Sequence, residues 1–200
     1  MVDAVSSYLQ QRINKTLDQH GHSLVAFPGG KSPMAIFKRL SSFDLKWQNV
    51  TIVPTDERVA PAHSTMNNAA LINRYLAPSG ASTIPLVETC SDYCAAAKTA
   101  NTRLSLLNWP ADIVWLGMGT DGHTASLFPG PDLELAYHTA SYATGLMPDP
   151  LPAETPLPRV TLSLFAITAA REIILTIHGS KKRTVLERAI AEGIDSDLPI

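Results

Sequence analysis

Asp121 and His123 stand two residues apart in GMGTDGHTASLFPG, residues 117–130, among glycines at 117, 119 and 122. Imidazole is the side chain that ordinarily titrates nearest neutrality, so a histidine beside a carboxylate in a glycine-rich loop suits proton transfer at a reacting centre. A lone loop histidine is more often plain surface; the carboxylate and the glycines set this one apart. The same segment contains GxGxxG over 117–122. No acidic residue closes a second strand about twenty residues further on, so a dinucleotide site is not expected.

Three other segments carry candidate chemistry. In FPGGKSP, residues 27–33, Gly29 and Gly30 let backbone amides come close to a ligand, and a helix beginning at Ser32-Pro33 favours an anion there. A phosphate is the natural occupant, and an ordinary strand-to-helix turn is the alternative. Gly30-Lys31-Ser32 imitates the end of a Walker A loop, but Val25 stands where that motif needs its first glycine, which removes a nucleotide P-loop. In TDER, residues 55–58, Asp56 offers a carboxylate to orient a catalytic group or substrate hydroxyls. Arg58 offers a fork for a phosphate, and a solvated turn is the plainer reading. Arg159 precedes a strand, and Lys181 with Lys182 opens a helix after Gly179-Ser180. Lysines at a helix start are disfavoured by the dipole unless they face an anion held at the same end; otherwise they are solvated surface.

The elements that must position these loops are legible from apolar spacing. Val5, Leu9, Ile13 and Leu17 recur every four residues and predict a helix from about Val2 to His20. Continuous apolar runs predict strands at Ser23–Phe27, Asn49–Pro54 and Ala111–Gly119, with others at Ile84–Val87, Arg159–Leu162 and Glu172–His178 and an edge strand around Leu135–Thr139. Helices are expected after Ser32-Pro33, with proline at the first helical position and serine capping, then from Asn67 to Leu76, Ser91 to Leu107 and Lys181 to Ala191. Strands alternating with helices, each strand apolar throughout, imply an α/β fold with a mostly parallel sheet covered on both faces. Residues 1–200 then form a single three-layer domain. Ligands of such sheets bind at the carboxyl ends of the strands, where all four candidate loops fall.

Composition narrows the function classes. With 45% hydrophobic and 17% charged residues and a net charge of −2, the chain reads as an ordinary globular protein without the basic excess of a nucleic-acid binder. No apolar run reaches the ~20 residues of a membrane span, and the polar, amphipathic N-terminus lacks a secretion signal. Cys90 and Cys94 have the spacing of two helix-borne ligands, but no second Cys/His pair accompanies them. They are expected to be free, partly buried thiols, with no metal site and the cytosol as compartment.

Together and in this order, GGKSP, TDER, GMGTDGHTASLFPG, PRVTLSLFAI and HGSKKRTVL resemble the 6-phosphogluconolactonases of the glucosamine/galactosamine-6-phosphate isomerase superfamily. The likeness runs from about Leu24 to Leu198, and the DGH segment is its most specific part. It implies a Rossmann-like domain that hydrolyses 6-phosphogluconolactone in the oxidative pentose phosphate pathway, with no metal or organic cofactor. It makes His123 the general base for water and Asp121 the neighbour that shapes the site. Gly29, Gly30, Ser32, Asp56, Arg58, Arg159 and Lys181 become candidates for phosphate and substrate contacts. The expected partner is a small phosphorylated sugar lactone, with no nucleic acid or membrane, and the chain is expected to be a monomer or weak homo-oligomer. Departures are Phe27-Pro28 where relatives often carry a small serine, Pro54 before TDER, and Asn67-Asn68 for the usual Ser-Asn. The chain also stops at Leu198-Pro199-Ile200 where relatives usually continue, so a closing strand is expected to be missing or short.

Two rival readings remain at this stage. An amino-sugar-phosphate isomerase would typically read AFNEPG after DGH and so supply a glutamate; here ASLFPG, residues 125–130, offers no carboxylate. A non-catalytic sugar-phosphate sensor would normally carry a helix-turn-helix segment, for which the chain has no spare length.

Overall fold

The computed structural model describes residues 1–61, 64–88, 92–128, 133–152 and 155–200. Helix α1, Val2–His20, buries Leu9, Ile13 and Leu17 along one face. Gly21 ends it at φ 76°, donating its N–H to Leu17 O at 2.9 Å, a left-handed cap that glycine adopts without Cβ strain. There follow β1 (Ser23–Phe27), α2 (Met34–Leu40), β2 (Val50–Pro54), β3 (Asp56–Arg58), α3 (Asn68–Leu76) and β4 (Ser82–Thr83). The second half contains α4 (Tyr93–Leu104), β5 (Ile113–Leu116), α5 (Leu133–His138), β6 (Ala143–Leu146), β7 (Arg159–Leu162), α6 (Leu164–Thr168), β8 (Ile173–Leu175) and α7 (Ser180–Glu192).

The main sheet is parallel, in the order β4-β2-β1-β5-β8. The chain moves outward from β1 through β2 to β4, then crosses back over β1 to β5 and β8. At the β1/β5 junction successive connections leave in opposite directions, which opens a crevice beyond the strand ends. Alternate strand residues serve opposite faces. Val25, Phe27, Ile52, Ile113 and Trp115 pack with α1, α2 and α3; Leu24, Ala26, Val53, Val114 and Leu116 pack with α4, α6 and a second sheet. Phe27 and Phe37 each meet Trp115 edge-on at 5.6 Å between ring centroids, a rigid aromatic floor beneath the crevice.

The second sheet is antiparallel, in the order β3-β7-β6; apolar runs predict its middle strand, Arg159–Leu162, but not the two that flank it. Its outer strand β6 docks on α4 through Asn101, whose Nδ2 donates to Ala143 O at 2.6 Å while its Oδ1 accepts from Ala143 N at 3.0 Å. A Cβ on Gly145 would stand 2.5 Å from Tyr93 O, so glycine permits this close approach.

Several expected elements differ. Helix α2 starts at Met34 with Pro33 as its cap, and Ser32 makes no capping bond: proline already holds the helical φ, one position early. Over Ile84–Val87 no strand forms, because Arg103 takes the carbonyls of Pro85 and Leu86 at 2.9 and 3.0 Å and Pro85 has no N–H to pair. The edge strand expected around Leu135–Thr139 is the helix α5, where Glu134 and His138 pair one turn apart at 3.0 Å. Cys94 is an exposed free thiol rather than a partly buried one, since Ala96, Ala97, Ala100 and Leu104 form the inner face of α4. Cys90 lies outside the described residues.

At the edge of the main sheet, β8 pairs among the described residues with β5 alone, and Ile173 is 45% exposed. Helix α7 buries Ala189 alone and leaves Ile190 71% exposed. Among the described residues no helix is long and apolar enough to cross a membrane.

Candidate active site

The crevice at the β1/β5 junction is a cavity of about 710 Å³, within the usual range for a small-molecule site. Its wall beyond β5 is the loop that carries His123. Gly119 N donates to His123 O at 2.8 Å, Gly122 turns the chain at φ 83°, and Thr124 Oγ1 ties the loop to Gly117 O at 2.9 Å. Inside this turn His123 Nδ1 meets Asp121 Oδ1 at 2.6 Å, and Phe128 packs against the imidazole with 4.4 Å between ring centroids. A carboxylate partner holds the proton on Nδ1, so the neutral ring presents a lone pair at Nε2. A Cβ on Gly119 would lie 2.3 Å from both Asp121 Oδ1 and His123 Nδ1; the pair closes over a position that only glycine fits. Burial pushes the Asp121 carboxyl up, but the His123 charge and hydrogen bonds outweigh it and hold the group below the usual carboxylate range.

The opposite wall is built on β3 and β7. Their register sets Arg58 directly opposite Arg159, a like-charge pair that costs stability unless an anion lies between them. Arg159 is 2% exposed and spends donors on Leu157 O, Thr155 O and Thr155 Oγ1 at 2.6–2.8 Å, so it clamps the 155–157 segment as well as lining the pocket. Burial lowers its pKa. Arg58 Nη1 donates to Met66 O at 2.9 Å and to Asn68 Oδ1 at 2.5 Å. Asp56 Oδ2 accepts from Ser126 Oγ at 2.6 Å, joining this wall to the histidine loop. Glu57, fully buried behind the wall, accepts from the backbone N–H groups of Arg58, Asn68 and Ala69 at 2.8–2.9 Å. Burial pushes its pKa up to about 7, against those three amides and with help from Asp56.

The third side is the turn after β1: Gly29, Gly30, Lys31 and Ser32 line the crevice, with Gly30 at φ 88°. The fourth comes from the segment after β8, through Thr176, Ile177, His178 and Lys182. The lysine on the wall is Lys182; Lys181, singled out from the sequence, is exposed and does not line the cavity. Neighbouring residues on a helix point about 100° apart, so only one of two adjacent lysines can face the crevice.

The structure thus brings His123, Asp121, Gly29, Gly30, Ser32, Asp56, Arg58 and Arg159 to one cavity and leaves Lys181 outside it. Sequence reading missed Asn68, Ser126 and Phe128 as site residues. Ser126 and Phe128 carried a signal, lying in the same loop as the histidine. Asn68 enters by a contact across the fold. Among the described residues no group of three or more His, Cys, Asp or Glu is placed to hold a metal ion.

Fold and site together define a doubly wound α/β protein with a cationic, glycine-lined pocket at its switch point and an oriented histidine on one wall. The chain belongs to the family of glucosamine-6-phosphate isomerases and 6-phosphogluconolactonases, whose model matches residues 1–200. It is 35% identical over 193 residues to a 6-phosphogluconolactonase of Mesorhizobium japonicum, covering 95% of this chain and 81% of that one. A 6-phosphogluconolactonase of Rhizobium meliloti is 34% identical, covering 100% of this chain and 87% of the relative. Among solved structures, a 6-phosphogluconolactonase from Shewanella baltica superposes with a TM-score of 0.87 at 32% identity, covering 94% of this chain and 81% of that chain.

Proposed function

We propose that this protein hydrolyses 6-phosphogluconolactone to 6-phosphogluconate, the lactone-opening step of the oxidative pentose phosphate pathway, without a metal ion. The observation that carries the reading is His123, held at Nδ1 by Asp121 and on its face by Phe128, across one cavity from Arg58 and Arg159. The curated relatives at 34–35% identity bear the same activity in their names.

Water enters between His123 and the lactone carbonyl. His123 Nε2 takes a proton as the water oxygen bonds to C1, giving a tetrahedral oxyanion and an imidazolium paired with Asp121. The intermediate collapses by breaking the bond from C1 to the ring oxygen, and the imidazolium returns its proton to that oxygen. One water is added, and the new carboxylic acid ionises to solvent. A positioned base of this kind contributes ~10²–10⁴-fold. The phosphate, distant from C1, gives binding energy that places the carbonyl against the base. Lys182, the Gly29-Gly30 turn and the arginine pair supply the positive and N–H groups for the substrate's anionic parts. Among the described residues, the acidic side chains that line the pocket are Asp56 and Asp121. Both are already engaged, by Ser126 and His123, which favours lactone hydrolysis over an isomerisation that needs a further carboxylate.

The test is release of acid from freshly generated 6-phosphogluconolactone, measured against its spontaneous rate with EDTA present. Acceleration that survives the chelator is expected; none from folded protein overturns the reading. His123→Ala should lower turnover ~10²–10⁴-fold with KM little changed. Normal turnover with a raised KM would instead make His123 a binding residue.

A further inference from the structure

Asn68 is 2% exposed, and three parts of the pocket meet on its side chain. Its Nδ2 donates to Asp56 O at 2.8 Å and to Asp56 Oδ1 at 3.2 Å, and its Oδ1 accepts from Arg58 Nη1 at 2.5 Å. The amide also sits against the Gly29 backbone, where an added Cβ would lie 1.8 Å from Asn68 Oδ1. Its main chain is fixed in turn, since Glu57 accepts from Asn68 N at 2.8 Å and from Ala69 N at 2.9 Å.

Asp56 and Arg58 are two apart in a strand, so their side chains share a face. Left alone, a carboxylate and a guanidinium so placed would pair with each other and withdraw from a ligand. A carboxamide offers a donor on one side and an acceptor on the other, so it can occupy both at once. Aspartate lacks the donor, alanine lacks both groups, and glutamine adds a methylene where Gly29 leaves no room. Resting on the lactonase reading, we propose that Asn68 is a positioning residue of the reaction. Its amide keeps Asp56 and Arg58 apart, aims Arg58 into the pocket, and sets how closely the Gly29 turn approaches them. Through the Asp56–Ser126 bond the same bracket reaches the loop that holds His123.

Asn68→Ala, Gly29→Ala and the double variant test this in the full chain. Asn68→Ala should lower kcat/KM at least ~10-fold, mostly through KM, because Arg58 is then held only through Met66 O and can turn toward Asp56, while His123 and Asp121 stay paired. Gly29→Ala should give a similar loss by pushing Asn68 aside. The double variant should be little worse than Asn68→Ala alone, because the space the new Cβ needs is then vacant; non-additivity of this kind marks groups in contact. Strictly additive losses, or an unchanged kcat/KM in Asn68→Ala, overturn the proposal. Should Asn68→Ala fold poorly, Asn68→Ser takes its place. A readout without substrate separates this proposal from the lactonase reading. Arg58 Nε is buried and has no acceptor among the described residues; burial shields its N–H from water, so it can be followed by nitrogen-15 NMR, assigned by its loss in Arg58→Lys. Faster exchange of that proton with water in Asn68→Ala is expected whatever the substrate proves to be, and unchanged exchange refutes the positioning role. An inactive wild-type protein with the expected exchange result would overturn the lactonase reading alone.

Discussion

At the residue scale, the site depends on contacts too close to tolerate one extra carbon. Gly119 is the sharpest case: its φ is not positive, so alanine costs no backbone strain, yet the new Cβ would collide with the Asp121–His123 pair at 2.3 Å. Gly119→Ala should therefore lower turnover by ~10–100-fold, the order expected for an ångström of misplacement. Circular dichroism and melting should show the fold retained. A variant with full turnover would mean that the pair is not needed in this geometry. The two lysines give a complementary test. Lys182→Ala should raise KM severalfold, whereas Lys181→Ala should leave both kinetic constants within twofold of wild type; the reverse pattern would put Lys181 in the site. The motif announced that a lysine was there but not which one, because two adjacent lysines on a helix differ only in phase, and phase is set by how the helix docks. Asp121, His123 and the glycines were legible because their chemistry and spacing are local. Asn68 was not, because its partners Gly29, Asp56 and Arg58 are brought to it only by folding.

At the scale of elements, the start of α3 is tied to β3 by the Glu57 carboxylate, with Asn67 capping the helix through Ala70 N at 2.7 Å. Asp56 and Arg58 flank Glu57 on its own strand, and Val160 stands opposite it on β7. The Glu57 pKa is raised in the fold, to about 7 from 4.5. The folded protein therefore binds more protons than the unfolded chain between those values. This group's contribution is fully present below about pH 4.5 and is lost as pH rises through about 7, a difference on the order of 3 kcal/mol. Urea unfolding of wild type and Glu57→Gln at pH 5 and pH 8 checks it. The variant is expected to be less stable at both, since an amide turns a donor toward backbone donors, but with the smaller fall between them. Equal falls would show that Glu57 does not titrate in that window. The short strands β3 and β6 escaped sequence reading because one is three charged residues and the other holds Gly145, and neither presents an apolar run. The parallel strands β1, β2 and β5, buried on both faces, could hardly be missed.

At the scale of the whole molecule, packing is uneven. The centre of the main sheet is covered on both sides, while β8 and α7 form a loosely covered margin, with Ile173, Ile190 and Ile194 exposed. Local stability follows buried apolar contact. Backbone amides of α7 are accordingly expected to exchange with deuterium at least ~100-fold faster than those of α1, whose Leu9, Ile13 and Leu17 are buried. Equal protection would show the margin to be as firmly held as the centre. The topology that builds the pocket also sets when it exists. The crevice lies between strands that are neighbours in space but far apart in the chain: β1 pairs with β5, and β5 waits for β8 before Lys182 can reach the wall. A growing chain presents the glycine turn first, the arginine wall and the histidine loop later, and the lysine last. Long-range parallel pairing of this kind closes slowly, so a nascent or refolding molecule gains secondary structure well before it gains a working pocket, and catalytic activity becomes a clock for its final step of assembly.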